Sequence, residues 1–253
     1  MADPAEQYCN KGDECSSSGE YEKAVGWFDK AIAENPQLPD VWLMRGIALL
    51  ELGRFAEAAE SCDREIAANP DNAPAWINRG KALTGLGLPQ EAIASFDQAN
   101  TLNPKFAGTW LYRGSALAEL GRFSEAVDSY DRAISLLSTI PEMWYKRGLA
   151  LGGLGRHADA LASFDKAIAL DPGYAAAWTY RAVALSELGQ PDKALAAYDR
   201  AVALNPENAR AWYNRANVLS GLSREAEAVD SYDHAIAAGM DTEYIWADRG
   251  HSL

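Results

Sequence analysis

A tryptophan recurs every 34 residues through nearly the whole chain, and this period constrains the fold more than any other feature. The series is Trp42, Trp76, Trp110, Trp144, Trp178, Trp212 and Trp246. Tyr8 stands one period before Trp42 and extends the series toward the N-terminus. A fixed period of roughly 20–50 residues is typical of stacked repeat architectures, in which each unit contacts its neighbours. Because no insertion interrupts the period, we expect one structural unit to be copied along the chain.

The residues that follow each aromatic predict an amphipathic helix, the first helix of each repeat. Counted from the aromatic, positions 0, 3, 4 and 7 hold an aromatic, a cation, a small residue and leucine, as in Trp42, Arg45, Gly46 and Leu49. At about 100° per residue these positions share one helical face. A C′ residue in the left-handed conformation is expected to end this helix. That position holds Gly19, Gly53, Gly87, Gly121, Gly155, Gly189 and, in the last repeat, Ser223.

A second helix follows and has a buried stripe of its own, in which alanine and aromatic columns alternate, as in Ala92 and Phe96. It ends before a proline in most repeats, because proline cannot continue a helix and restricts the residue before it. Those prolines are Pro36, Pro70, Pro104, Pro172 and Pro206. Neither helix can bury its stripe alone, so the pairs must stack. The sequence predicts an all-α fold, an α-α superhelix or solenoid.

The pattern Trp42-x-x-Arg45-Gly46-x-x-Leu49, followed by Gly53, Phe55, Ala58 and Pro70, resembles the tetratricopeptide repeat (TPR), and the resemblance extends from residue 5 to residue 253. We expect a single solenoid over residues 1–253. Its seven helix-turn-helix repeats are predicted at 5–38, 39–72, 73–106, 107–140, 141–174, 175–208 and 209–242, with one capping helix at 243–253. Since the eighth repeat has only its first helix, the chain is expected either to end in this cap or to be the N-terminal part of a longer protein.

One column departs from the family pattern, because a cation stands where a large apolar residue is usual. The column contains Lys11, Arg45, Arg79, Arg113, Arg147, Arg181, Arg215 and Arg249. The second helix carries a matching anion in every repeat, at Asp29, Asp63, Asp97, Asp131, Asp165, Asp199 and Asp233. An unpaired buried charge costs several kcal/mol. We therefore predict a ladder of Arg–Asp pairs across the repeat junctions, with solvation of both side chains as the alternative.

The balance of charge disfavours two classes of partner. The chain has 23 Lys and Arg against 36 Asp and Glu, a formal net charge of −13. A surface of this sign gains nothing from phosphate groups, so neither nucleic acid nor an anionic membrane is an expected partner. The sequence has no apolar stretch approaching about 18 residues and no secretory signal at its start. We expect a cytoplasmic protein.

The sequence does not favour catalysis or metal binding. The histidines lie in three different columns without a ligand spacing, at His157, His234 and His251. Three cysteines, Cys9, Cys15 and Cys62, are too few for a disulfide framework. A recurrent serine column, which includes Ser61 and Ser129, indicates helix packing, since a nucleophile does not need five copies. Phosphate-binding loops and HExxH motifs are missing. We expect a protein that is not an enzyme and has no metal and no cofactor.

The side of the first helix opposite its buried stripe is left for a partner, and we call this surface the first-helix face. It is unusually apolar and rich in tyrosine for a face that packing does not require to be apolar. The candidate peptide-binding residues are Leu43, Met44, Ile47, Asn78, Lys81, Leu111, Tyr112, Tyr145, Lys146, Leu149, Tyr180, Val183, Tyr213, Asn214 and Asn217. Tyrosines supply contact area at low entropic cost, and Asn and Lys reach a main chain.

The resemblance implies that this face lines the concave side of the superhelix and holds an extended or helical peptide. We therefore predict a scaffold or adaptor that binds a protein or peptide partner. Two known specialisations of the family are not expected, since only Asn10, Asn78 and Asn214 match an asparagine ladder and the Lys–Asn pattern of a carboxylate clamp is missing. Two alternatives stay open: a structural spacer that self-associates through the solenoid ends, and the regulatory or substrate-recruiting region of a larger enzyme.

Overall fold

The computed structural model describes residues 3–240, and these residues form fourteen α-helices. Their bounds are α1 Pro4–Ser17, α2 Tyr21–Glu34, α3 Val41–Glu51, α4 Phe55–Ala68, α5 Ala73–Gly85, α6 Pro89–Leu102, α7 Ala107–Glu119, α8 Phe123–Leu136, α9 Pro141–Gly153, α10 His157–Leu170, α11 Ala175–Glu187, α12 Pro191–Leu204, α13 Ala209–Gly221 and α14 Glu225–Ala237. The predicted all-α solenoid class is confirmed. The expected capping helix at 243–253, with Trp246 and Arg249, lies outside the described residues.

The chain divides between Leu136 and Leu137 into two compact units, α1–α8 and α9–α14. Within each unit, every first helix packs on the second helix of its own repeat, and each second helix packs on the next first helix. First helices also contact one another from repeat to repeat, as α3 contacts α5 and α9 contacts α11. Among the described helices of a unit, second helices show no contacts of comparable extent with each other. The first helices therefore form the closely spaced layer of each unit.

The turn between the two helices of a repeat has the predicted left-handed C′ residue. At the end of α3, Gly53 has φ 71°, its N–H donates to the carbonyl of Leu50 over 3.0 Å, and the N–H of Arg54 donates to the carbonyl of Leu49 over 2.9 Å. This is the Schellman arrangement, which satisfies carbonyls at the helix end. Ser223 adopts the same conformation, with φ 57°.

The small-residue column is explained by the aromatic column of the second helix. A Cβ added at Gly80 would overlap the ring of Phe96, which is 1% exposed. The same relation holds between Gly148 and Phe164. The absence of a side chain at these positions lets the two helices of a repeat approach closely enough to bury the ring between them.

The Arg–Asp ladder is confirmed, and each pair crosses a repeat junction as predicted. Arginine Nε and aspartate Oδ1 are 2.7 Å apart in Arg45–Asp29, 2.6 Å in Arg79–Asp63, Arg113–Asp97 and Arg181–Asp165, and 2.8 Å in Arg215–Asp199. The arginine side chains are 16–26% exposed, whereas the aspartates are 49–55% exposed. The ladder therefore lies at the rim of the core, where its carboxylates remain solvated.

The serine column is the second partner of the arginines, which the sequence interpretation as helix packing did not specify. Arg45 Nη1 donates to Ser61 Oγ over 2.7 Å, and Ser61 Oγ donates to the carbonyl of Glu57 over 2.8 Å. Arg79, Arg113, Arg147 and Arg215 bind the equivalent Ser95, Ser129, Ser163 and Ser231. Each of these arginines thus ties its first helix to the second helix of the same repeat.

The tryptophan column is only partly buried, although the helical periodicity placed it on the buried stripe. The indole N–H of Trp76 donates to the carbonyl of Pro70 over 2.8 Å, and that of Trp212 donates to Pro206 over 2.9 Å. The indole keeps its polar edge at the surface because its N–H needs an acceptor there. Tryptophan therefore fastens the loop between repeats to the following first helix.

The three cysteines are free. Cys62 is fully buried, and burial raises its pKa to about 12. Cys9 is also buried, and its thiol lies 3.6 Å from the sulfur of Met44 on α3. Cys15 is only partly buried.

Candidate functional site

Most of the candidate residues lie on the first helices with part of their surface exposed, in a layer that each unit builds separately. Ile47 is 40% exposed and Asn217 is also exposed, while Tyr112, Tyr180 and Val183 are half-buried. Leu43 is different, because it is 9% exposed and belongs to the core. Its assignment to the first-helix face is corrected: its position, one after the aromatic, turns toward the neighbouring helices.

A cavity of about 300 Å³ opens between α5 and α7 in the first unit. It is lined by three of the candidate residues, Asn78, Lys81 and Tyr112, and by Ala73, Pro74, Ile77, Asn103 and Phe106. Lys81 Nζ lies 5.0 Å from the centre of the Tyr112 ring, and that ring stacks on Phe96 at 5.8 Å. The amide of Asn78 donates to the carbonyl of Pro74 over 2.9 Å, which fixes its orientation. The cavity thus combines apolar walls with a held amide and an ammonium group.

Phe106 is a lining residue that the sequence interpretation missed. It is the N-cap residue of α7, and it is 47% exposed. The same N-cap position holds Asn72 and Asn208, whose side chains cap their helices, but it holds Ile140 and Tyr174 at the start of α9 and α11. An apolar residue at an N-cap gives up a capping hydrogen bond. The replacement of a capping residue by an apolar one was therefore the sequence signal that this side chain has a role at the surface.

A second cavity, of about 220 Å³, lies among α9, α10 and α11 in the second unit. Three candidate residues, Leu149, Tyr180 and Val183, form part of its wall. The other lining residues are Gly148, Gly152, Gly153, His157, Ala160, Phe164, Ala184 and Glu187. The lining is predominantly apolar, with the carboxylate of Glu187 and the imidazole of His157 as its ionisable groups.

Tyr145 belongs to an aromatic cluster beside this second cavity. Its ring centre lies 5.0 Å from that of Tyr174, 5.8 Å from that of Tyr180 and 6.1 Å from that of Phe164. Burial, and then the neighbouring Tyr180 and Tyr174, raise the pKa of Tyr145 to about 12. The Tyr145 ring therefore holds the Tyr180 ring in place, and its exposed part adds to the first-helix face.

The remaining candidates in the second unit are partly committed to internal contacts. Tyr232 donates its hydroxyl to Asn217 Oδ1 over 2.6 Å, and its ring lies 6.0 Å from that of Tyr213. Lys146 Nζ lies 3.6 Å from a carboxylate oxygen of Glu142. Because one end of the Asn217 amide is used by Tyr232, its N–H₂ group is the part left for a ligand. Asn214 of this unit is half-buried, as is Leu111 on α7 of the first unit.

The described residues contain no group of three His, Cys, Asp or Glu side chains able to hold a metal ion. Within the same part of the chain, no helix has the length and apolar content needed to cross a membrane.

Comparison with protein families gives one consistent description. Models of the tetratricopeptide repeat match residues 5–38, 43–105, 77–139, 141–174, 175–208 and 197–230. An uncharacterised protein of Methanocaldococcus jannaschii is 45% identical over 53 residues, which are 21% of this chain and 62% of that protein. The chain thus spans less than two thirds of this curated relative.

Solved structures with the same fold cover most of the chain. The crystal structure of MamA has a TM-score of 0.63 at 26% identity and covers 68% of this chain and 94% of MamA. The C-terminal part of a TPR protein from Cytophaga hutchinsonii has a TM-score of 0.77 at 18% identity and covers 94% and 98% of the two chains. YrrB, described as a TPR protein with an unusual peptide-binding site, has a TM-score of 0.65 at 22% identity and covers 76% and 99%.

Proposed function

Because this chain belongs to the tetratricopeptide-repeat family, we propose that it is an adaptor that binds an extended or helical peptide of a partner protein on its first-helix face. The family fold is that of protein-protein interaction scaffolds, and TPR proteins are generally not catalytic. The observation that carries the finer proposal is that two cavities open on the first helices and are lined by residues that the sequence pattern selected.

The chemistry of these cavities fits a peptide. The apolar walls gain free energy by removing side-chain surface from water, at about 25 cal/mol per Å². Asn78 and Lys81 offer groups that recognise main-chain carbonyls. First helices pack about 10 Å apart and an extended peptide advances about 3.3 Å per residue, so each repeat would contact about three ligand residues. Several repeats together would therefore contact a peptide of about ten residues.

A selection from random dodecapeptides displayed on phage tests this proposal. The selected peptides are measured against the wild type and a variant that carries Ile47→Glu, Phe106→Glu and Val183→Glu, which places charge in the proposed surface. The matched control carries Leu102→Glu, Leu170→Glu and Leu204→Glu, at residues 37%, 42% and 37% exposed near the ends of second helices. Circular dichroism verifies that all three proteins are helical.

We expect the first variant to bind selected peptides at least tenfold more weakly than wild type and the control to bind them normally. Equal binding by all three would move the peptide site away from the first-helix face, and a selection that enriches no peptide would contradict peptide binding itself. A cytoplasmic location, the absence of nucleic-acid and membrane partners, and self-association through the solenoid ends stay predictions.

A further inference from the structure

Gly152, which precedes Gly153 in the last turn of α9, has no packing explanation. Glycine weakens a helix because it loses the most backbone freedom on folding. A Cβ added at Gly152 would meet no atom within 4 Å, whereas one added at Gly148, a turn earlier, would meet the Phe164 ring. Other repeats place a side chain at the position of Gly152, namely Leu50, Thr84, Ala118, Ser186 and Ser220. No side chain covers the backbone at Gly152, and its uncovered side faces the cavity rather than a packed helix.

The cavity also depends on an exchange at the start of the second helix. In the second repeat this position is Phe55, whose ring lies against Gly85 so closely that an added Cβ would meet it at 2.6 Å. The equivalent pair in the fifth and sixth repeats is His157 and Glu187. Both of these residues line the open cavity. The Phe55 ring that covers Gly85 is therefore replaced here by His157, and the glycine by Glu187, so that two polar groups stand at the border of an apolar space.

The size and charge of this cavity define what fits it. About 220 Å³ is smaller than the roughly 300–1,000 Å³ of small-molecule sites, and it has room for one large side chain. Phe164, Tyr180, Leu149 and Val183 give it apolar walls. The carboxylate of Glu187 is exposed and makes no ion pair with a described residue. On a chain of net charge −13, a cation is the complementary group.

We propose that the cavity lined by Gly152, Tyr180 and Glu187 is the specificity pocket of the peptide site, and that it binds a large apolar side chain whose neighbour in the partner peptide is Lys or Arg. The apolar side chain enters over the bare backbone of Gly152 and Gly153, and the cation pairs with Glu187. This inference rests on the proposed function, since it names the peptide chemistry that this part of the first-helix face reads.

The test uses dodecapeptides selected on the wild-type chain and measured by fluorescence anisotropy. Gly152→Leu fills the pocket from a helical position where a Cβ has open space, so it blocks the site without disturbing the core. Gly26→Leu is the matched control, because Gly26 is exposed in α2 and an added Cβ there also meets nothing within 4 Å. Both changes raise helix propensity, and circular dichroism verifies that both variants keep the helical content of the wild type. Glu187→Lys tests the charge.

We expect the selected peptides to share an apolar residue beside Lys or Arg, to bind Gly152→Leu 10–100-fold more weakly, and to bind Gly26→Leu as they bind the wild type. Glu187→Lys should weaken binding by about fivefold and most strongly at low salt. Peptides that bind Gly152→Leu normally would overturn the pocket while leaving the proposed function standing. Failure to enrich any peptide would overturn both.

Discussion

Arg113 lies between two repeats, with its Nε 2.6 Å from Oδ1 of Asp97 on the preceding second helix and its Nη1 2.7 Å from Oγ of Ser129 on the following one. The arginine side chain is 20% exposed and the aspartate is 49% exposed. One guanidinium thus joins three consecutive helices, α6, α7 and α8. Because a guanidinium donates from several N–H groups in a fixed fork, arginine can serve both partners at once, which lysine does less well.

Removing the guanidinium should cost more than removing the carboxylate. We expect Arg113→Met, which keeps an apolar stem of similar length, to lower the free energy of unfolding by about 1–3 kcal/mol, since it leaves Ser129 and Asp97 without their donor. Asp97→Asn should cost about 0.5–1 kcal/mol, because this partner is half exposed and screened. Urea denaturation of both single variants and the double variant measures the coupling. Equal costs for the two single changes would contradict this division.

The sixth repeat offers the reverse experiment. Arg181 binds Asp165 at 2.6 Å, but the serine position of its second helix is Ala197, which is 1% exposed. We expect Ala197→Ser to raise the free energy of unfolding by about 0.5–1 kcal/mol, since the hydroxyl would receive a hydrogen bond from Arg181 and donate to the preceding turn. The midpoint of urea denaturation, at an unchanged m-value, measures this rise in the free energy of unfolding. In an Arg181→Met background the same change should lose its benefit, and a benefit that persists there would contradict the assigned partner.

The repeat period explains why so much of this structure could be predicted from the sequence. A residue that recurs in every copy has a recurring environment, so matched columns of arginine and aspartate indicate contact. The first repeat illustrates this, because it has Lys11 in the arginine column and Trp27 in the serine column, and Lys11 Nζ lies 4.7 Å from the Trp27 ring. A cation–π contact replaces the hydrogen bond there. The arginine column and the serine column therefore change together in the first repeat.

The candidate site could be predicted less well, because it depends on departures from the period. The second cavity needs Gly152, Gly153 and His157 together, and its volume follows from how three helices place their backbones. Exposure was also misjudged at single positions. Leu43 and Tyr145 occupy the same column, yet Leu43 is 9% exposed and Tyr145 joins a half-buried aromatic cluster. Helical periodicity gives the direction of a side chain but not the distance to the neighbouring helix.

The buried ionisable side chains predict loss of stability in alkali. Burial is the first cause that raises the pKa of Cys62, Tyr145 and Tyr198 to about 12. Each group ionises more readily in the unfolded chain, so its contribution is complete below the unfolded pKa and is lost as the pH rises through about 9–10 toward the folded pKa of about 12. We expect the urea midpoint to fall between pH 8 and 11. Tyr145→Phe should make this fall shallower, and an unchanged slope in that variant would contradict the assignment.

The last prediction concerns two buried polar side chains without hydrogen bonds. The amide of Asn100 in α6 and the hydroxyl of Thr109 in α7 are 6% and 0% exposed, and neither has a hydrogen-bond partner among the described residues. Their equivalents three repeats later are Val202 and Ala211, which pack in one apolar cluster. An unsatisfied buried polar group costs about 1–3 kcal/mol.

We therefore expect Asn100→Val to raise the free energy of unfolding by about 1–3 kcal/mol, and Thr109→Ala to raise it by less, since it also removes a methyl group from the core. Thermal and urea denaturation of the two single variants and the double variant measure these changes. If Asn100→Val destabilised the chain, its amide would have to be satisfied in solution. Polar side chains would then be required at the junction between α6 and α7. The apolar packing of Val202 and Ala211 would not be a valid guide to that junction.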